Sequence, residues 1–373
     1  MASTAQKLLF FVLYAVVNGV TLMKVMAETE YKTNSPIFIF GDSTADVGTN
    51  NYLNKCTARA DHRYHGIDFA YSKPTGRFSN GKNTADQIVR LLGNHQLSPP
   101  PYFALLSHKQ TLQRNLLRGS NFASAGAGLF SETGQIQFIK VICMEEQIQQ
   151  LAAVRRAITD LLGSPKTVDN LFHNSLFIIS VGSNDLVEYT VSHGGIIEHP
   201  KDLIANLTQA YSRHLTNLYN LGARKFGIIG IPPIGCCPAS RVFNTTGGCF
   251  EVMNDIARSF YKSMETLLVD FSFLYKGFKY SLGNTYAMTM NIIDNPRGNN
   301  FKEVKTACCG SGKFNGAGEC KEGANLCFNR DDFLFWDWFH PTEKASELAA
   351  LTLAYAEGTE YVTPMNFSSL AIA

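Results

Sequence analysis

The sequence predicts an α/β protein whose mostly parallel sheet is covered by helices on both faces. Short, mainly apolar runs at residues 37–40, 175–182 and 225–236 are typical of buried strands. Longer stretches with helical periodicity lie between and after these runs. Because strands that alternate with helices form parallel units, we expect a central sheet with helices packed on both sides.

The predicted helices are defined by their apolar spacing and by the residues that end them. Three segments are mostly helical by periodicity: 139–162, 203–222 and 251–272. Gly163 and Pro165 end the first of them, and Gly222 is the expected C-cap of the second. These helices are long enough to cover the neighbouring strands.

The composition excludes several classes of function. The chain has 373 residues, of which 45% are hydrophobic and 17% are charged, and this balance is typical of a globular protein. The net charge is +2 and no basic run stands out, so nucleic acid is not an expected partner. No internal repeat or linker divides the chain, which favours a single domain over residues 28–373.

The N-terminus predicts a cleaved signal peptide over residues 1–27. Lys7 precedes an apolar run at residues 8–17, and Ala27 ends a small-residue cleavage pattern. The alternative is a membrane anchor. The run is shorter than the ~20 residues that a spanning helix needs, and Asn18 separates it from a weaker apolar stretch. We therefore expect a secreted protein with no stable membrane anchor.

Cysteine usage also indicates an oxidising compartment. Four of the nine cysteines lie in the Gly-rich segment 308–327, which predicts a loop stapled by disulfides. A zinc site is the alternative, but Cys308 and Cys309 are adjacent and no Cys-x-x-Cys pair is present. The connectivity stays open, and the odd count leaves at least one cysteine unpaired or intermolecular. Three sequons are glycosylation candidates: Asn206, Asn244 and Asn366.

Two of the predicted strands run directly into polar turns. The first leads into Gly41-Asp42-Ser43, and the second leads into residues 182–185, which include Asn184. Because ligands bind beyond the carboxyl ends of parallel strands, Ser43 lies where an α/β enzyme keeps its chemistry. Ala45 stands where the Gly-x-Ser-x-Gly motif has its last glycine, so the turn follows a different scheme.

A serine nucleophile needs a base and an acid that orients the base, and one pair fits this need. His340 follows Asp337 by three residues in the aromatic segment 333–342, a spacing that lets the carboxylate reach the imidazole. An aromatic core segment with a surface His-Pro turn is the alternative. His62 and His65 flank a polar loop and are expected to be solvated.

Donors for an oxyanion are expected from two further places. Residues 121–128 are small and Gly-rich, so Gly126 or Gly128 could bring a backbone N–H close to a ligand. The side-chain amide of Asn184 could also donate to an oxyanion. A tight turn and a helix-capping Asn are the respective structural alternatives.

Taken together and in this order, these segments resemble the GDSL (SGNH) hydrolase superfamily, and most closely the plant GDSL esterase/lipase family. The resemblance covers nearly the whole chain after residue 27. Three further segments also look like that family: 75–88, 232–238 and 307–312. The chain departs from the family at Thr44, where Leu or Phe is usual, and at residues 48–51, where Gly-Thr-Asn-Asn replaces Gly-Asn-Asn. Neither departure removes a catalytic group, and both are expected to affect the shape of the pocket mouth.

The resemblance implies a three-layer α/β/α, flavodoxin-like SGNH hydrolase fold and a role for each motif residue. Ser43 matches the nucleophile, and Asp337 and His340 match the acid and base. Gly126 and Asn184 match the residues that complete the oxyanion hole with the Ser43 N–H. No metal or cofactor is implied, and the substrate would be a small-molecule ester or lipid, met outside the cell in the apoplast or cell wall.

The expected activity is hydrolysis of carboxylic esters through an acyl-enzyme. A secreted acyltransferase that uses the same triad is one alternative, and a non-catalytic carbohydrate- or lipid-binding protein is another. All five catalytic positions carry competent residues, which disfavours the binding protein. The sequence leaves the natural substrate, its chain length and the oligomeric state open.

Overall fold

The computed structural model describes residues 35–93, 97–107, 115–194, 199–358 and 360–373. The signal peptide predicted for residues 1–27 lies outside the described residues. Within the described ranges, none of the helices combines the length and the apolar character that crossing a bilayer requires.

The sheets are built from eight strands in the described part of the chain. These are β1 (Ile37–Gly41), β2 (Gly119–Asn121), β3 (Leu176–Ser180), β4 (Lys225–Ile229), β5 (Lys279–Gly283), β6 (Cys309–Gly310), β7 (Asn325–Leu326) and β8 (Val362–Thr363). The central sheet has the order β2-β1-β3-β4-β5-β8, and β6 and β7 form a separate ribbon. Strands β1 to β5 are parallel, whereas β8 is antiparallel to β5.

Twelve α-helices lie within the described ranges. They are α1 (Thr84–Leu92), α2 (Tyr102–Ser107), α3 (Gln135–Phe138), α4 (Met144–Leu162), α5 (Pro165–Asn174), α6 (Ser183–Ser192), α7 (Pro200–Asn220), α8 (Pro238–Val242), α9 (Glu251–Leu274), α10 (Thr285–Asp294), α11 (Glu343–Tyr355) and α12 (Phe367–Ile372). The long ones carry the apolar faces that cover the sheet.

The two faces of the sheet are covered by different sets of helices. On β1, Phe38 points into a core that includes α4, α5, α7 and α9, whereas Ile39 points into a core that includes α1, α11 and α12. This division results from the alternation of side chains along a strand. Since all five residues of β1 are buried, both faces must be apolar, which explains the uninterrupted run in the sequence. The predicted three-layer α/β/α arrangement is confirmed.

Some element boundaries differ from those predicted. Helix α4 begins at Met144 rather than at residue 139, because Ile139 has a positive φ of 67° that a helix does not accommodate. Strand β4 ends at Ile229, and the prolines 232 and 233 cannot continue the backbone ladder. Helix α7 ends at Asn220 with Leu221 as its C-cap, one residue before the predicted Gly222.

The strand order brings the two polar turns together. After β1 the chain crosses to β2 on one side, and β3 then lies on the other side of β1. This reversal of direction along the sheet creates a crevice at the carboxyl ends of β1 and β3. Gly41 of β1 pairs with Ser180 of β3, so the turns after both strands open on the same edge, as predicted.

Candidate active site

The Ser43 turn is fixed by a close approach of β1 to β3. Gly41 has a φ of +140°, and a Cβ on it would lie 1.9 Å from the Ser180 carbonyl oxygen, so only glycine fits. Gln147 of α4 accepts a hydrogen bond from the Gly41 N–H at 2.8 Å and donates to the Gly41 carbonyl at 2.9 Å. Asp42 accepts from the Thr44 N–H and hydroxyl, which closes the turn around Ser43.

Ser43, His340 and Asp337 form a continuous hydrogen-bonded series. The Ser43 Oγ lies 2.7 Å from His340 Nε2. His340 Nδ1 lies 2.7 and 2.9 Å from the two Asp337 carboxylate oxygens. Because the carboxylate accepts the Nδ1 proton, Nε2 is left to accept the proton of the serine hydroxyl. This geometry can generate an oxygen nucleophile.

The Asp337 carboxylate keeps its charge although it is buried. Burial alone would raise the pKa of Asp337. The facing His340 lowers it through its charge and through its hydrogen bond, and the resulting pKa lies below the ordinary value. The backbone N–H groups of Phe339 and His340 also donate to Asp337 at 3.0 and 2.8 Å. The acid is therefore held in its ionised form, which orients the imidazole.

The Gly-rich segment lies directly beside the end of β1. The Ser124 N–H donates to the Gly41 carbonyl at 3.0 Å, so the turn that contains Gly126 starts at the strand that leads to Ser43. Gly126 has a φ of +83°, and a Cβ on it would lie 2.4 Å from the Phe138 ring. Among the described residues, no protein acceptor pairs with the N–H of Ser43 or of Gly126. Both donors are thus free for a ligand.

Asn184, the third predicted donor, is joined to the same turn. Its Nδ2 donates to the Ala127 carbonyl at 2.9 Å. An amide nitrogen carries two protons, so this bond orients the side chain and leaves one proton available to a ligand. Asn184 is half-buried in the first turn of α6, and Gly182 precedes that helix with a φ of +121°. The structure therefore brings all five predicted site residues to one edge of the sheet.

Comparison with known proteins supplies the family. The family model "GDSL-like Lipase/Acylhydrolase" matches residues 37–353. The chain belongs to the GDSL lipase/acylhydrolase family. It is 36% identical over 317 residues to GDSL esterase/lipase At5g37690 of Arabidopsis thaliana, which covers 84% of this chain and 86% of the relative. It is also 36% identical over 337 residues to GDSL esterase/lipase LTL1 of the same plant, at 89% coverage of both.

The comparisons confirm the family predicted from the sequence, together with its class of activity, the hydrolysis of carboxylic esters. A third relative, GDSL esterase/lipase At4g28780 of Arabidopsis thaliana, is 34% identical over 368 residues and covers 97% of each chain. The match therefore extends over the strands, the Gly-rich turn and the Asp-His segment alike.

In this GDSL-family chain, buried polar side chains that the sequence did not reveal support the Gly-rich turn. The Asp46 carboxylate accepts from the Ala125 N–H at 2.9 Å and from the Gly48 N–H at 2.7 Å. Asn50 donates to the Ala125 carbonyl at 2.9 Å. The N–H and the carbonyl of Ala125, which directly precedes Gly126, are therefore both hydrogen-bonded to buried side chains. Asp46 lies three residues after Ser43, a spacing that could have drawn attention to it.

Asp185 holds the other end of the same turn. One of its oxygens accepts from the Leu129 N–H at 2.8 Å, and the other accepts from the Phe130 N–H and the Thr133 hydroxyl. A Cβ on Gly128 would lie 2.4 Å from this carboxylate, so the second glycine of the segment is needed for packing. Asp185 directly follows Asn184, which links the two in sequence.

His65 is buried, and the prediction that it is solvated was wrong. It is only 4% exposed, and its Nδ1 accepts a hydrogen bond from the Trp336 indole at 3.2 Å. Burial lowers the pKa of His65 to about 4, so the ring is neutral. The Phe78 ring lies between His65 and His340, with centroids 5.7 and 4.9 Å away. His62 is exposed, as predicted.

The Cys-rich segment supports the stretch that carries Asp337. Disulfides join Cys308 to Cys327 and Cys309 to Cys320, which confirms the predicted stapled loop. The Cys309 N–H donates to the Trp336 carbonyl at 2.7 Å, directly before Asp337. A third disulfide joins Cys236 to Cys249, and the remaining cysteines are buried thiols: Cys56, Cys143 and Cys237.

Within the described residues, the one group with a metal-ligand arrangement is Cys236, Cys249 and Glu251. Both sulfurs of this group already form a disulfide with each other, so they are not thiolate ligands. This group therefore offers no basis for a metal centre.

The buried Asp185 predicts a specific dependence of stability on pH. Burial raises its pKa from 3.8 to about 6. The folded state thus binds this proton more tightly than the unfolded state, and the resulting stability is lost as the pH rises through 6. Two pKa units correspond to about 3 kcal/mol. Between pH 4 and 6, the free energy of unfolding should therefore fall less in Asp185→Asn than in the parent. The difference between the two declines should be of the order of that value.

Urea unfolding at each pH measures this effect. Asp160→Asn is the matched control, because it makes the same exchange at an exposed position of α4. A curve for Asp185→Asn that runs parallel to the parent curve from pH 4 to 6 would contradict the assignment.

Proposed function

We propose that the protein is a secreted serine hydrolase that cleaves carboxylic esters through an acyl-enzyme on Ser43. The observation that supports this most directly is the series from the Ser43 hydroxyl through His340 to the buried Asp337 carboxylate. Membership of the GDSL lipase/acylhydrolase family and the names of the esterase/lipase relatives support the reaction class. Small-molecule esters are therefore the proposed substrates.

In the first step, Ser43 attacks the ester carbonyl. His340 Nε2 accepts the hydroxyl proton as the new Oγ–carbon bond forms, and the carbonyl π electrons move to the oxygen. The N–H groups of Ser43 and Gly126 and the Asn184 amide donate to this oxyanion. The tetrahedral intermediate then expels the alcohol, which takes the proton from His340.

In the second step, water releases the acid. His340 accepts a proton from the water, which attacks the acyl-enzyme carbonyl, and the same three donors hold the second oxyanion. Breaking the Oγ–carbon bond returns the proton to Ser43. Asp337 stays ionised throughout, because its lowered pKa keeps it as the partner of the imidazolium.

Removal of the nucleophile or of the base tests this mechanism. Ser43→Ala and His340→Ala should each lower kcat for p-nitrophenyl acetate by at least about a thousandfold, because the remaining groups cannot activate an oxygen nucleophile. A fluorophosphonate probe should label the parent and fail to label Ser43→Ala. Ser272→Ala, at an exposed position of α9, is the matched control and should be labelled like the parent.

Each outcome of this experiment has a meaning. Turnover of His340→Ala within tenfold of the parent would overturn the role of the base. Labelling without hydrolysis, together with ester formation when an alcohol is added, would assign acyl transfer in place of hydrolysis. Absence of labelling in the folded parent would favour a binding protein.

The proposed oxyanion role of Asn184 has its own kinetic signature. Asn184→Ala should lower kcat for p-nitrophenyl acetate by about 100-fold with little change in KM, because the amide would stabilise charge that exists only in the transition state. Asn170→Ala, at an exposed position of α5, should leave both constants unchanged. An effect confined to KM would mean that Asn184 only binds the substrate.

Secretion is supported by the disulfides and by the predicted signal peptide. Three disulfides stabilise the described part of the chain, which fits an oxidising compartment such as the cell exterior. The sequons differ in accessibility. Asn206 is exposed on α7. The Asn244 amide donates to the Cys249 carbonyl, and Asn366 caps α12 by accepting from the Ser369 N–H.

We therefore expect Asn206 to carry a glycan and Asn366 to carry none. Expressed through a eukaryotic secretory pathway, Asn206→Gln should lose the mass of one glycan in intact-protein mass spectrometry. Asn366→Gln should change the mass only by the substitution, because Nδ2, the atom to which a glycan is attached, donates to the Ala356 carbonyl at 3.3 Å while Oδ1 caps α12. A full glycan loss in Asn366→Gln would contradict this expectation.

A further inference from the structure

An apolar cavity of about 250 Å³ opens beside the candidate active site. It extends along the carboxyl ends of β3, β4 and β5, and the helices α10 and α11 form its outer wall. Neighbouring strands in a sheet are about 4.8 Å apart, so the cavity crosses roughly 10 Å from β3 to β5.

The walls of this cavity are formed by one face of each helix. Met288 and Ile292 of α10 are spaced by four residues, and the lining residues of α11 follow the i, i+3, i+4, i+7 spacing of a single helical face: Ala345, Leu348, Ala349 and Thr352. Ile231, just beyond β4, adds a branched side chain. Among the described residues, no Asp, Glu, Lys, Arg or His lines the cavity. Ser, Thr and Asn side chains contribute to the lining, but most of its surface is apolar, so the cavity suits an uncharged aliphatic group.

One part of the cavity wall is formed by residues that are adjacent in sequence to the candidate site residues. Thr44 follows Ser43, Ser183 precedes Asn184, and the residues on either side of His340, Phe339 and Pro341, complete this part of the lining. The Thr44 hydroxyl is engaged with Asp42 and with the Ser180 hydroxyl, which satisfies these polar groups within the protein. A chain attached to the Ser43 oxygen could therefore enter without displacing a protein hydrogen bond.

We propose that this cavity binds the aliphatic acyl chain of the substrate and sets a preference for chains of about eight carbons. The proposal rests on the proposed ester hydrolysis. The roughly 10 Å from β3 to β5 matches an extended aliphatic chain of about eight carbons, at about 1.3 Å per carbon. The acyl side is assigned because the acyl group stays on Ser43 through the second step, whereas the alcohol must diffuse away after the first.

A series of p-nitrophenyl esters from acetate to palmitate tests the size. Each methylene that enters the cavity should raise kcat/KM by about fourfold until the cavity is filled. The parent should therefore prefer octanoate to acetate by at least a hundredfold and should gain nothing further from palmitate. A profile that is flat or that falls from acetate onward would overturn the proposal.

Ala349→Phe tests the position of the chain. The added ring should fill part of the cavity and lower kcat/KM for octanoate at least tenfold, while acetate stays within threefold of the parent. Ala205→Phe, at an exposed position of α7, is the matched control and should change neither value. Met288→Ala enlarges the cavity and should move the preferred chain to a greater length. Equal losses on acetate and octanoate in Ala349→Phe would contradict the assignment.

A pair of isomeric esters separates the acyl side from the alcohol side. Methyl octanoate and heptyl acetate have the same atoms, but the long chain lies on opposite sides of the ester. The parent should prefer methyl octanoate at least tenfold, and Ala349→Phe should abolish the preference. A preference for heptyl acetate would place the alcohol in the cavity and overturn the assignment.

Failure of the proposed function would look different. In that case the parent would hydrolyse neither acetate nor octanoate and would resist the fluorophosphonate probe. The cavity is then tested directly by calorimetric titration of Ser43→Ala with octanoate, which should bind, whereas Ser43→Ala combined with Ala349→Phe should bind at least tenfold more weakly. No binding to Ser43→Ala would overturn the cavity proposal independently of catalysis.

Discussion

The site depends on the contact between the ends of β1 and β3. Gly41 lies so close to Ser180 that no side chain fits between the two strands. Gln147 then binds both backbone groups of Gly41, and the Asp42 N–H donates to the Ser180 carbonyl. This contact fixes the direction in which the chain leaves the sheet. The Ser43 hydroxyl consequently faces His340, and the turn after β3 lies next to it.

Buried carboxylates hold the surroundings of Ser43. Asp46 and Asp185 each accept several hydrogen bonds from backbone N–H groups, including those of the Gly-rich turn, and burial raises the pKa of both to about 6. Asp337 is equally buried, but it faces an imidazole, and its pKa is lowered instead. The two kinds of environment separate two tasks. Carboxylates that position the backbone tolerate a raised pKa, whereas the role proposed for Asp337 as the partner of an imidazolium favours a lowered one.

The sequence predicted those site residues that are recognisable from their near neighbours in the chain or from a family motif. Ser43 and Asn184 come after strands whose apolar runs are easy to recognise, and Asp337 precedes His340 by only three residues in the sequence. The roles assigned to them remain proposals, and the pattern alone would not have selected them without the resemblance. The fold was predictable because a parallel sheet leaves continuous apolar runs in its strands.

The features that the sequence did not predict depend on long-range contacts. Strand β2 has the sequence Gly-Ser-Asn and no apolar run, so only its pairing with β1 makes it a strand. Gln147 meets Gly41 across 106 positions of sequence, and no local pattern encodes that contact. His65 lies in a polar stretch and is buried only because Trp336 and Phe78 pack around it.

Ser43 and His340 are separated by 297 positions along the chain, although their side-chain atoms touch. The serine is among the first residues of the fold to be synthesised, and the histidine is among the last. A ribosome must therefore complete almost the whole chain before the two can meet. The pair is consequently absent during synthesis, and any fragment that includes only one of these two residues lacks the assembled centre.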